Sequence, residues 1–182
     1  MVFKRVSVLM GVLSLIVACK NIDNGGISGN SKDSVDINGK IQIHKPYCGG
    51  AAPSPEQAEG FNEALPNAVF YLYKDSLPDD KDDLLKVTTD EKGGFDTKLT
   101  PGSYHLIQEA KLGSLEEFIK AKRIDDDHYK SHPEECYERW FNAPDFSFVV
   151  TDTTGHNPVL TEWHRCFTGA NPCLIYTGPY PP

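Results

Sequence analysis

Cysteine and histidine are the residues here whose spacing is best suited to chemistry. His44 stands four positions before Cys48, His128 four before His132, His132 four before Cys136, and His164 two before Cys166. Imidazole beside thiolate is the donor set of a tetrahedral zinc-type site. His44, Cys48, His132, Cys136, His164 and Cys166 are therefore the candidate metal ligands. On an unbroken helix His128, His132 and Cys136 would share one face. Pro133 interferes, because it favours a helix start near Ser131 and leaves His128 in the loop before it. The competing chemistry is oxidation. Cys48, Cys136, Cys166 and Cys173 can form two disulfides, and the redox compartment decides between the two outcomes.

Other clusters are weaker. Asp125, Asp126 and Asp127 beside His128, and Asp79, Asp80, Asp82 and Asp83, could serve calcium or acid–base chemistry. Neither has the alternating oxygens and glycine of a calcium loop, so both read as solvated acidic turns. Ser103 and His105 lie two apart on a strand without an elbow or oxyanion arrangement. No catalytic constellation can be assembled, and no cofactor is implied. Tyr47, Phe61, Trp140, Phe141, Trp163, Tyr176 and Tyr180 are core candidates first and a binding patch second.

The compartment is legible at the start of the chain. M-V-F-K-R is followed by an uncharged run of 13 residues, Val6 to Ala18, and then Cys19. A basic start, a short apolar run and a small residue before the break make a secretory signal. The run is too short for a transmembrane helix, which needs about 20 apolar residues. Ile16-Val17-Ala18-Cys19 resembles the lipobox of bacterial lipoproteins. That resemblance implies a leader at 1–18 and acylation of Cys19; several acyl chains make a lasting anchor. An exported, oxidising setting then favours structural disulfides over thiolate ligands for Cys48, Cys136, Cys166 and Cys173. Three connectivities are open. Joining Cys48 to Cys173 and Cys136 to Cys166 is preferred, because it staples loop, tail and helix to the rest, at roughly 2–4 kcal/mol per bridge.

The elements that must position these residues come next. The formal charge is −8; once Lys4 and Arg5 leave, 16 basic residues face 26 acidic ones. Such a balance disfavours nucleic acid, whose affinity comes from basic residues on phosphates. Residues 19–36 are rich in Gly, Ser, Asn and Asp and read as a flexible tether. One domain fills 37–182. Alternation predicts a first strand over Ile37–Ile43, a long Pro/Gly/Ala-rich loop over Tyr47–Pro66, and strands over Asn67–Lys74, Leu84–Thr89, Phe95–Leu99 and Ser103–Ala110. Asp90-Glu91-Lys92-Gly93-Gly94 predicts a hairpin between the third and fourth of these.

Thr89 to Ile107, T-D-E-K-G-G-F-D-T-K-L-T-P-G-S-Y-H-L-I, resembles the carboxypeptidase regulatory-like domain, which shares its sandwich with transthyretin-like and collagen-adhesin B-type domains. The resemblance spans about 37–111 and implies a mainly β, Greek-key sandwich of about seven strands without catalysis. Beyond Ala110 the chain departs from it. Ser114-x-x-Glu117 is a capping box, and Ser131-His132-Pro133-Glu134 repeats the signal, which predicts a helical insertion near 114–142. Asp145–Thr151 and Val159–Cys166 predict two closing strands, followed by a proline-rich extended tail. Together these features imply an envelope lipoprotein acting as a binding or structural accessory module for a protein or glycan, and the family resemblance alone implies the outer membrane of a Gram-negative bacterium. A Cys/His metal-binding lipoprotein is the alternative.

Overall fold

The computed structural model describes residues 34–152 and 157–179. Cys19, the leader, most of the tether and Tyr180 lie outside the described residues. The architecture is a β-sandwich. One sheet is built on β1 (Val35–Lys45), a strand of 11 residues whose burial alternates strictly over its first half. β5 (Gly94–Leu99) pairs antiparallel with residues 35–40 of β1, and β2 (Phe61–Ala64) continues along the same edge at 42–45. β9 (Val159–Trp163) runs parallel along the other edge, from Lys40↔Val159 to His44↔Trp163. The second sheet has the order β4 (Leu85–Thr88), β3 (Val69–Lys74), β6 (Gly102–Gln108), β8 (Phe146–Val150), all antiparallel. A two-stranded ribbon joins β7 (Tyr129–Ser131) to β10 (Leu174–Tyr176).

Period-two alternation makes the core. Ile37, Ile41, Phe95, Leu99 and Leu160 from one sheet meet Phe70, Leu72, Val87, Tyr104, Leu106 and Phe148 from the other. Gly39 is required within β1: a Cβ there would stand 2.1 Å from the Phe95 ring, which occupies the space a side chain would take. The Tyr104 hydroxyl donates to Thr100 O at 2.8 Å, which ties the Pro101-Gly102 turn to the strand that follows it. Thr89 is buried, accepting from Ala68 N and donating to Leu65 O, so its hydroxyl is satisfied both as donor and as acceptor.

The structure corrects the sequence reading at several points. β1 starts at Val35, not Ile37, because Val35 pairs with Leu99 and enters the core. The Tyr47–Pro66 segment is not all loop. It carries the short helix α1 (Pro55–Ala58), boxed by Ser54 and Gln57, and β2, which raises the two sheets to eight strands. Thr89 to Phe95 does not close a paired hairpin. β4 and β5 belong to different sheets, and the turn carries the chain across the sandwich. Gly93, at φ +77°, lets that turn pass Ile41 O, where a Cβ would stand 2.3 Å away.

The insertion contains α2 (Leu115–Lys122) and α3 (Glu134–Asn142). Ser114 and Glu117 form the expected reciprocal box at α2. Ser131 does not cap α3. It lies in β7, its N–H bound to Asp125 and its hydroxyl to Ile124 O, and Pro133 holds the cap position.

Candidate functional site

All four domain cysteines are disulfide-bonded, and the pairing corrects the preferred one. Cys48 joins Cys166, and Cys136 joins Cys173. The reason is the parallel ladder. His44↔Trp163 places the ends of β1 and β9 side by side, so the residues just beyond them, Cys48 and Cys166, meet. The β7–β10 ribbon brings Cys173 under α3, and His132 N donates to Cys173 O at 2.8 Å.

With these sulfurs oxidised, the thiolates needed by the metal reading do not exist. Two of its three histidines have other partners. His44 Nδ1 is 3.0 Å from Asn62 Oδ1 and its ring packs on Trp163 at 4.2 Å; His164 Nε2 is 3.3 Å from Glu162. Among the described residues no group of three His, Cys, Asp or Glu side chains could hold a metal.

The acidic turns are structural as well. Asp80 caps a 3-10 turn, Asp126 accepts from His128 N and Tyr129 N, and Asp125 pairs with Arg123. The Arg123 guanidinium and the Ser131 N–H hold the Asp125 carboxyl below its ordinary range. His105 bonds Ser147, not Ser103.

What the fold does assemble is a groove of about 680 Å³ where one end of the sandwich meets the helical insertion. The apolar core stops there because the inward positions change character: Leu106 is followed by Gln108 in β6, and Leu160 by Glu162 in β9. These two meet across the sheets, Gln108 Nε2 lying 3.5 Å from Glu162. Leu65, Ala68 and Phe70 give the groove an apolar floor, and Trp140, Lys122 and the 168–171 turn form its far wall. The Lys122 ammonium lies 5.5 Å from the Trp140 ring centroid.

Glu162 and His164 are only 19% and 20% exposed, so their contact is shielded from bulk water. Thr168 Oγ1 is buried and has no hydrogen-bond partner among the described residues. A hydroxyl in that state is costly unless something in the groove meets it.

Three supports fix the walls. The Cys48–Cys166 bridge holds the segment bearing His164 and Thr168, and the Cys136–Cys173 bridge holds α3 with Trp140. Asn171 Nδ2 donates to Lys122 O at 2.7 Å, tying the turn to α2. A buried ion pair adds to these three. Lys111 Nζ is 2.8 Å from Asp145 Oδ1 and from Ala143 O, with side chains 2% and 7% exposed. Asp145 Oδ2 in turn accepts from Gln108 N at 2.7 Å. Burial pushes the Lys111 ammonium below its ordinary range, and the Asp145 charge works against that shift.

Of the aromatic residues singled out above, Trp140 enters the groove. Trp163 is 69% exposed on the opposite face of β9, and Phe61 is also exposed. Gln108, Glu162, Thr168 and Lys122 escaped the sequence reading. One of them had a signal: in V-L-T-E-W, Glu162 shares the inward parity of Leu160, a charge where the pattern asks for an apolar residue.

No protein-family profile matches the chain, and no curated protein does. Among solved structures the chain is similar to a DUF3823 family protein from Parabacteroides merdae (14% identity, 71% of this chain and 45% of that one, TM-score 0.31). It is similar to the minor pilin of Streptococcus agalactiae (11%, 72% and 44%, TM-score 0.35). A third is a putative carbohydrate binding protein from Pseudomonas aeruginosa (13%, 71% and 88%, TM-score 0.36). The chain spans less than half the length of the first two.

Proposed function

We propose that this chain is an exported lipoprotein, anchored through Cys19, whose sandwich is a non-catalytic binding or structural accessory module of the cell envelope. The groove is its ligand site. The observation that carries this reading is that both disulfides tether walls of the same groove, one of which holds a buried hydroxyl without a partner among the described residues. Pre-organised walls reduce the ordering cost of binding, which is where a small module gains affinity. The leader pattern before Cys19 and the resemblance of Thr89–Ile107 to carboxypeptidase regulatory-like domains support export and a non-catalytic sandwich. An outer-membrane location of Gram-negative type, facing a protein or glycan partner, completes the reading.

Two experiments test it. A clickable palmitate analogue fed to cells labels the full chain and fails to label Cys19→Ser, which also leaves the membrane fraction; labelling of both, or of neither, overturns the anchor. Plugging the groove with Ala170→Trp abolishes retention of the solubilised full chain on immobilised envelope fractions, whether polysaccharide or protein. Unchanged retention removes the groove from the account.

A further inference from the structure

The chemistry of the groove wall points to a class of ligand, and this inference rests on the groove being a binding site. Glu109 and Glu162 offer carboxylate acceptors, Lys122 offers an ammonium donor, and Gln108, His164 and Thr168 can each donate or accept. An anion would meet both carboxylates. A cation would meet Lys122, whose ammonium already lies near the Trp140 ring. A wholly apolar ligand would cover the floor of Leu65, Ala68 and Phe70 but would take the Glu162 carboxylate out of water with only its contacts to Gln108 and His164, and would leave the orphan Thr168 hydroxyl unmet.

One chemistry satisfies all of these groups. A neutral polyhydroxylated ring carries hydroxyls that both donate and accept, and it has C–H faces that pack on an apolar floor. The volume, about 680 Å³, lies within the range of small-molecule sites, roughly 300–1,000 Å³. We infer that the groove binds a neutral saccharide through Glu162 and Thr168, with Gln108 held in place by its contact to Glu162 and by Asp145 at its backbone.

The arrangement of the two tryptophans makes this testable. Trp163 lies outside the groove, so Trp163→Phe leaves Trp140 as the sole tryptophan and a reporter of the groove. The full chain carrying this change is held in a detergent without a sugar headgroup. It is titrated with methyl glycosides of glucose, galactose, mannose and N-acetylglucosamine, and with glucuronate, choline and octanoate as charged and apolar probes. Saturable change in Trp140 fluorescence is expected with at least one neutral glycoside and with none of the other probes. Glu162→Gln and Thr168→Val each weaken it about tenfold or more, whereas Gln42→Ala, on the outer face of β1, leaves it unchanged. Unaltered thermal melting of the variants shows that they fold.

Three results refute the assignment. A response to glucuronate, choline or octanoate alone overturns the saccharide and leaves the groove as a site for another ligand. Glycoside binding indifferent to both Glu162→Gln and Thr168→Val overturns the placement in the groove. Silence with every probe overturns the saccharide, while the groove as a binding site stands or falls on the retention of the full chain and its loss in Ala170→Trp.

Discussion

Removing the disulfides one at a time separates the observed pairing from its alternatives and measures what each bridge contributes. Cys48–Cys166 spans 118 residues and Cys136–Cys173 spans 37. In the chain-entropy account the first removes about 5 kcal/mol of unfolded-state freedom and the second about 4 kcal/mol. For a domain of this size each kcal/mol moves the melting temperature by roughly 2–4 °C. Cys48→Ala/Cys166→Ala is therefore expected to melt roughly 10–20 °C lower, and Cys136→Ala/Cys173→Ala roughly 8–16 °C lower. Each of these doubles retains the other bridge, read as one cystine by alkylation before and after reduction. The mismatched double Cys48→Ala/Cys173→Ala instead leaves two thiols with no native partner and falls by about the sum. A mismatched double that keeps a native-like melting temperature and one native cystine would refute the pairing, and with it the claim that the parallel β1–β9 ladder brings Cys48 to Cys166.

Three other perturbations follow from the packing and electrostatics. Lys111→Met strands the buried Asp145 carboxylate and is expected to cost about 3–5 kcal/mol by urea unfolding, while Lys111→Met/Asp145→Leu recovers part of that loss; equal stability of Lys111→Met and wild type would contradict the buried pair. The carboxyls of Asp90, Glu117 and Asp125 are held below their ordinary range, Asp90 first by the Gly94 N–H, Glu117 by the Ser114 backbone and Asp125 by Arg123. Folded values below unfolded ones give stability that is present above the ordinary carboxylate range and lost as pH falls through the folded values. Asp90→Asn should flatten that acid limb in melts taken from pH 6 to pH 2, and an unchanged slope would count against it. Gly39→Ala forces the Phe95 ring out of its place and is expected to destabilise by about 1–3 kcal/mol; a neutral effect would show that the ring is free to move.

How much of this was legible in the sequence depends on which forces decided each feature. Strands with one buried face, such as β1 and β6, announced themselves by alternation, and Ser114–Glu117 marked a helix start through purely local bonds. Features set by distant partners did not. The turn at Asp90–Gly94 has the chemistry of a hairpin, but the next strand pairs with the distant β1, where Phe95 packs over Gly39. The cysteine pairing depends on β9 lying parallel to β1, which no local pattern encodes. The groove was hidden for the same reason. Gln108 stands 54 residues before Glu162, and only the end of a two-sheet core brings it to Glu162 and Thr168.

The central claim, that this groove is the binding surface, is tested most directly by amide hydrogen exchange on the full chain with and without a solubilised envelope extract. Protection confined to the Gln108–Ala110 and Glu162–Asn171 segments, and lost in Ala170→Trp, is the predicted result. Protection on the 47–60 segment instead, persisting in Ala170→Trp, would contradict it.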